Sequence, residues 1–237
     1  MKNLFKIHPF FYLFAILCIF TGYFKNFLFI TFIVLFHELG HILMSIVYKW
    51  NIDKIILLPF GALTIFNEKI NRPIIEELMI AIMGPLFQIL LFKINNPLFK
   101  MYNLNLLLFN LIPIFPLDGS KILNLILNKM FSFKYSHIIS IIISFIFIIL
   151  LFLFKFNLVL YVVIFFLLYK TYLEYKNHKF IFNKFLCERY MYKFNFKKTK
   201  IVENKNAMKR DYKHLFRAKN KYVTEREILL KLFDKQI

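Results

Sequence analysis

Residues 27–48 form an apolar stretch long enough to cross a bilayer, yet His37, Glu38 and His41 stand at its centre. Ionisable groups at membrane depth are costly unless something meets them, so the fold must supply a partner or a wet cavity at this point. On a helix, positions four apart share a face with Cβ atoms roughly 5–6 Å apart, so both imidazoles reach one zinc ion. The glutamate between them reaches the water that such an ion binds. The run His37-Glu38-Leu39-Gly40-His41 therefore predicts a metal site inside a membrane.

The rest of the chain fits that setting. Its 237 residues are 59% hydrophobic with 33 Phe and only 5 Gly, which excludes an ordinary water-soluble domain. Apolar runs at residues 10–24, 27–48, 77–92, 97–117, 136–154 and 157–172 predict an all-α polytopic membrane protein with about six transmembrane helices. Residues 52–66, rich in Ile, Leu, Thr and Phe around Pro59-Phe60-Gly61, read as a short β-ribbon dipping into the inner leaflet. The abundance of Phe, Ile, Lys and Asn reflects an AT-rich coding bias and carries no chemistry of its own. Cys18 and Cys187 fall in different environments, a span and the tail, so no structural disulfide is expected. Lys2 and Lys6 precede the first apolar run, but no small-residue cleavage site follows, and the run reads as a retained anchor.

Charge sets the orientation. Residues 175–237 carry 18 Lys and Arg against 6 Asp and Glu, a net of +12, which places this tail in the cytoplasm. Counting back through six crossings puts Lys49, Lys54, Lys69 and Arg72, then Lys121, Lys129 and Lys134, on the inner side together with both termini. Only Lys25, Lys93, Lys100 and Lys155 remain outside. The expected division is a transmembrane domain at 1–174 that carries the metal site and a basic cytoplasmic tail at 175–237. Nothing in the tail is a nucleic-acid recognition motif, and its lysines suit the anionic face of the lipid bilayer, at about 1 kcal/mol each. Residues 221–230 read as a strand followed by a helix.

Catalytic zinc takes three protein ligands and keeps a fourth position open. The candidate third ligand is Asp118, in Asn110-Leu-Ile-Pro113-Ile-Phe-Pro116-Leu-Asp118-Gly119, where two prolines unwind an otherwise apolar helix. Irregular backbone at membrane depth occurs only where protein or a wet cavity surrounds it, and a carboxylate there costs about 2.5–3.5 kcal/mol unless paired. At 1.5 Å per residue, His41 lies roughly 21 Å in from residue 27 and Asp118 at most about 30 Å in from residue 97. Both depths fall in the inner half, so the site should open toward the cytoplasm.

With His37-Glu38-x-x-His41 on one span and Leu117-Asp118-Gly119 on a later one, the chain resembles the site-2 proteases, intramembrane zinc metalloproteases. Leu57-Leu58-Pro59-Phe60-Gly61, Gly84-Pro85 and residues 185–190 are similar to a subgroup from endospore-forming bacteria that cleaves a membrane-associated pro-sigma factor. The resemblance implies that His37, His41 and Asp118 bind Zn2+, that Glu38 is the general base, and that Asn110, Pro113 and Pro116 position substrate. From the residues alone, Asn110 either faces the cavity or hydrogen-bonds a neighbouring helix. It also implies that the ribbon lends an edge to an extended substrate, and that membrane inhibitory or regulatory proteins act on the protease. Where relatives carry Asn three residues after Gly-Pro this chain has Gln88, and Ser120 stands where a second Gly is common; neither is expected to touch the ligands. The tail is shorter than the complete nucleotide-sensing CBS domain of relatives and reads as a reduced one. His8, His137, His178 and His214 are expected to be ordinary polar residues in loops and tail.

Two other readings share part of this pattern. Membrane zinc proteases of the prenyl-protein or heat-shock type draw the third ligand from a Glu or His on another helix, which the Pro-Pro-Leu-Asp-Gly turn opposes. A non-catalytic membrane adaptor with structural zinc has no need of Glu38.

Overall fold

The computed structural model describes residues 5–58, 61–153, 158–218 and 221–233. Pro59 and Phe60 of the expected ribbon turn, Lys155 of the expected outer loop and Asn157 at the start of the expected last span lie outside these residues. The chain divides into two compact units, residues 1–68 with 78–111, and residues 69–77 with 112–237.

In the first unit, β1 (Phe5–Ile7) leads into α1 (Pro9–Phe20), then α2 (Phe24–Val47), β2 (Ile52–Leu58), β3 (Gly61–Phe66), most of α3 (Ile74–Leu90) and α4 (Pro97–Leu111). Helix α1 begins with proline at its first position, where no N–H is needed, and the His8 side chain caps Phe10 N. Gly22, at φ +77°, makes the turn into α2. The buried positions of α2 include Ile33, Val34, His37, Glu38, Gly40, His41 and Ser45, a stripe at helical spacing that is largely polar. Leu28, Phe32, Leu35, Leu39, Leu43, Ile46 and Val47 are exposed instead. This is the reverse of a water-soluble helix, and it suits lipid outside and a polar site inside. Strand β2 is central, parallel to β1 and antiparallel to β3. Phe29 and Phe36 of α2 pack with Ile33, Leu91 and Phe99.

The second unit holds α5 (Asp118–Met130), α6 (Phe133–Phe152), α7 (Leu158–Met191), β4 (Lys198–Val202), β5 (Tyr212–Ala218), β6 (Lys221–Thr224) and α8 (Glu225–Phe233). Strand β5 is central, with β4 parallel on one side and β6 antiparallel on the other. Helix α7 runs unbroken for 34 residues through residue 175, so the basic tail begins as a continuation of a helix. Phe133, Phe182, Phe185, Leu186, Val202, Met208, Phe216 and Leu229 form one core that binds the sheet and α8 to the end of α7.

Three described helical segments are long and apolar enough to cross a membrane, Phe24–Val47, Ile74–Lys93 and Phe133–Phe152, with Pro9–Phe20 a shorter apolar helix. The expected span at 97–117 is only partly helical, because α4 stops at Leu111 before Pro113 and Pro116. Two small sheets add to an otherwise helical fold. His137, expected in a loop, is instead buried in α6 with its Nε2 3.5 Å from Glu174.

A buried polar cluster ties the tail together. The Arg189 guanidinium donates to Asn71 Oδ1 (2.6 Å), Glu225 Oε1 (3.0 Å) and Lys209 O (2.8 Å), and Asn71 donates to Glu188. His214 is fully buried, and its Nε2 accepts the Lys209 N–H at 3.0 Å. Its proton therefore sits on Nδ1, 3.2 Å from Glu225 Oε2. Burial pushes the His214 imidazole below its ordinary 6.5, and the Arg189 charge acts in the same sense against the raising effect of the Glu225 hydrogen bond. Burial alone would raise Glu225, but the His214 hydrogen bond and the Arg189 charge bring its carboxyl below the ordinary 4.5.

Replacing Arg189 with Met leaves the largely buried Glu225 without its guanidinium partner, a change of about 3–5 kcal/mol for a broken buried pair. Thermal unfolding followed through the tail should show the corresponding loss. Both depressed groups make folding favour the deprotonated forms, so their contribution is complete above about pH 6.5 and is lost as pH falls. Amide exchange in β5 and β6, corrected for intrinsic rates, should accelerate below that pH, and His214→Gln should flatten the upper part of the dependence.

Candidate metal centre

Helix α2 stacks His37 and His41 one turn apart on its buried stripe, with their Nε2 atoms 3.1 Å apart. Which atoms carry protons follows from their partners. His41 Nδ1 lies 2.8 Å from the Ile80 carbonyl, an acceptor, so Nδ1 bears the proton. His37 Nδ1 lies 2.9 Å from Gln88 Oε1, and the Gln88 amide is oriented by donating Nε2–H to Asn103 O at 2.9 Å. His37 is thus also the Nδ1–H tautomer. With Nδ1 of each ring engaged, both Nε2 atoms turn to the same place, where one metal ion would meet them together. Tetrahedral zinc with Zn–N of about 2.0–2.1 Å would place its two nitrogens about 3.3 Å apart, close to this spacing.

Glycine makes room for the pair. A Cβ on Gly84 would fall 2.3 Å from His41 Nε2, and one on Gly40 would fall 2.4 Å from Met83 O. Neither overlap is tolerable, so α2 and α3 touch backbone to backbone beside the imidazoles.

Asp118 is the first residue of α5, where the partial positive charge of the helix start suits a carboxylate. It is 7% exposed, and Lys121 Nζ lies 3.2 Å from its Oδ1. His37, His41 and Asp118 each offer one ligand atom to a metal ion. Two neutral imidazoles and one carboxylate are a donor set that suits zinc and leaves a coordination position open. Glu38, 8% exposed, points from the same stripe and accepts a hydrogen bond from the Thr64 hydroxyl on β3. Asn110 occupies the last turn of α4, half-buried, and Pro113 and Pro116 lie half-buried in the loop before α5.

The expectation that Gln88 stands clear of the ligands is corrected here, because its side chain holds His37 directly. Ser120 donates to Leu117 O at 2.7 Å, at the turn that begins α5. Sequence reasoning also missed Thr64. For Gln88 a signal existed: a fully buried amide on an apolar helix, one turn beyond Gly84, requires polar partners. For Thr64 there was none, since one hydroxyl in an apolar strand is ordinary.

The sequence profile of peptidase family M50 matches residues 25–94 and 97–154. Stage IV sporulation protein FB of Bacillus subtilis is 35% identical over 202 residues, covering 78% of this chain and 70% of the relative. A zinc metalloprotease of Methanocaldococcus jannaschii is 36% identical over 154 residues, 55% of this chain and 44% of that protein. The solved structure of a site-2 protease from the same archaeon superimposes with a TM-score of 0.55 at 32% identity, covering 72% of this chain and 89% of that one.

Gln88→Leu removes the acceptor on His37 Nδ1, and partners of this kind typically contribute about 10–100-fold to metal affinity. Competition with a zinc chelator should reveal a weakening of that order. Gly84→Ala should release zinc outright, since its methyl group occupies the place of the His41 ring edge.

Proposed function

Because the chain belongs to peptidase family M50, the membrane-embedded zinc metalloproteases of site-2 type, we propose that it removes the pro-sequence of a membrane-associated sporulation sigma factor of the pro-sigma-K kind. In this reading His37, His41 and Asp118 hold the zinc ion and Glu38 is the general base. The observation that carries it is the pair of imidazoles with their Nε2 atoms 3.1 Å apart, with Glu38 on the same buried stripe held by Thr64.

When bound, zinc supplies Lewis acidity, acidifying a water toward a pKa of about 7 and polarising the scissile carbonyl. Glu38 takes the proton of the attacking water at its carboxylate and passes it to the departing amine. The Thr64 hydroxyl, bonded to Oε2, fixes the rotamer of Glu38. The two Nδ1–H bonds, to Gln88 and to the Ile80 carbonyl, keep both imidazoles oriented with Nε2 toward the metal position. A helical substrate has its carbonyls bonded internally, so the scissile segment must be extended. Strand β3 is the edge of its sheet and offers ladder hydrogen bonds to such a segment at the inner leaflet. Asn110, Pro113 and Pro116, on the approach to Asp118, help to position it. Both termini face the cytoplasm of a sporulating bacterium, where the basic residues at 175–237 hold the tail against anionic lipid and where membrane regulators act.

The test is co-expression with a matching pro-sigma-K, comparing wild type with Glu38→Gln by gel mobility and by zinc content. Wild type should cleave, Glu38→Gln should not, and both should retain zinc. Cleavage by Glu38→Gln, or a wild-type protein without zinc, would sink the reading.

A further inference from the structure

The loop between α4 and α5 is half-buried around a wholly enclosed Ile114, and its inward-facing carbonyls need donors. Backbone groups meet some of them. Ile114 N–H and Leu117 N–H bond the carbonyls of Ile112 and Ile114 at 2.8 Å each, and Ser120 N–H bonds Leu117 O at 3.1 Å. Pro113 and Pro116 bring no N–H of their own to the loop.

The carbonyls of Pro113 and Phe115 are met by side chains of two other helices. Ser144 Oγ on α6 lies 3.1 Å from Pro113 O, and Thr171 Oγ1 on α7 lies 3.3 Å from Phe115 O. Both hydroxyl residues are fully buried. Ser144 also lies 2.8 Å from Ser140 O, so its proton is shared between its own helix and the loop. The neighbouring serines behave differently: Ser136 bonds Ser132 O at 2.9 Å and Ser140 bonds Ser136 O at 3.0 Å, both back along their own helix. The hydroxyls of Ser144 and Thr171 reach off their helices, and both reach the same loop.

We propose that Ser144 and Thr171 are positioning residues for the metal centre: by clamping the two carbonyls that flank Ile114, they fix the loop that delivers the Asp118 carboxylate to zinc. The proposal rests on the reading of Asp118 as a ligand. Phe115 is three residues from Asp118, so freedom at its carbonyl passes directly into the start of α5.

The readout is zinc release from the full-length protein in detergent during competition with a chelator, with folding followed by size exclusion. Ser144→Ala with Thr171→Val should release zinc roughly tenfold faster or more, in line with other groups that hold a ligand in place. Thr171→Ser and Ser144→Thr, which keep the hydroxyls, should release it at the wild-type rate, and so should Ser140→Ala, whose hydroxyl never leaves its helix. If the double variant does not fold, Thr171→Val against Thr171→Ser decides the matter alone. Wild-type release from the hydroxyl-free variants, with Asp118→Ala losing zinc, overturns the clamp and leaves the ligand reading standing. Zinc held by Asp118→Ala as firmly as by wild type overturns the ligand reading, and the clamp with it.

Discussion

Every polar group taken into hydrocarbon must find its partner within the chain, and this requirement organises both units. Helix α2 meets it by turning a polar stripe inward and leaving leucines and phenylalanines outside. Once His37 and His41 are buried, their Nδ1 protons need acceptors, which brings Gln88 and the Ile80 carbonyl to fixed places on α3. Gln88 in turn needs the Asn103 carbonyl on α4, and Asn103 returns a hydrogen bond to Gln88 O. A single chain of obligations thus runs from the imidazoles through three helices, and it holds both rings with their Nε2 atoms side by side.

Much of the centre was legible because its chemistry is local. His37, Glu38 and His41 declare themselves by type and spacing in one apolar run, and Asp118 by being a carboxylate after two helix-breaking prolines. What holds them was not legible, since Gln88 and Thr64 lie 51 and 26 residues from their partners and no periodicity links them. Gln88 was read as a departure from the usual asparagine, when its longer amide is the very group that reaches His37.

The spans were harder to count than the site was to find. Composition alone joins residues 97–117 into one run, yet prolines cannot continue α4, and the backbone turns instead into a half-buried loop. In the tail, +12 of charge suggested a solvated segment and concealed a core of Phe182, Phe185, Leu186, Phe216 and Leu229. Arg189 belongs to that core, sandwiched between the rings of Phe185 and Phe196 at 4.7 Å from each. His214 shows the same thing on a smaller scale, a charged-type residue used as a buried connector.

Helix α7 carries Thr171 beside the proline loop and, eighteen residues on, Arg189 in the heart of the tail. That separation is about 27 Å of uninterrupted helix. No linker lies between the two, so α7 works as a stiff rod rooted at both ends. A displacement of the tail sheet has nowhere to dissipate and arrives at Thr171 as a shift or a twist of the same body.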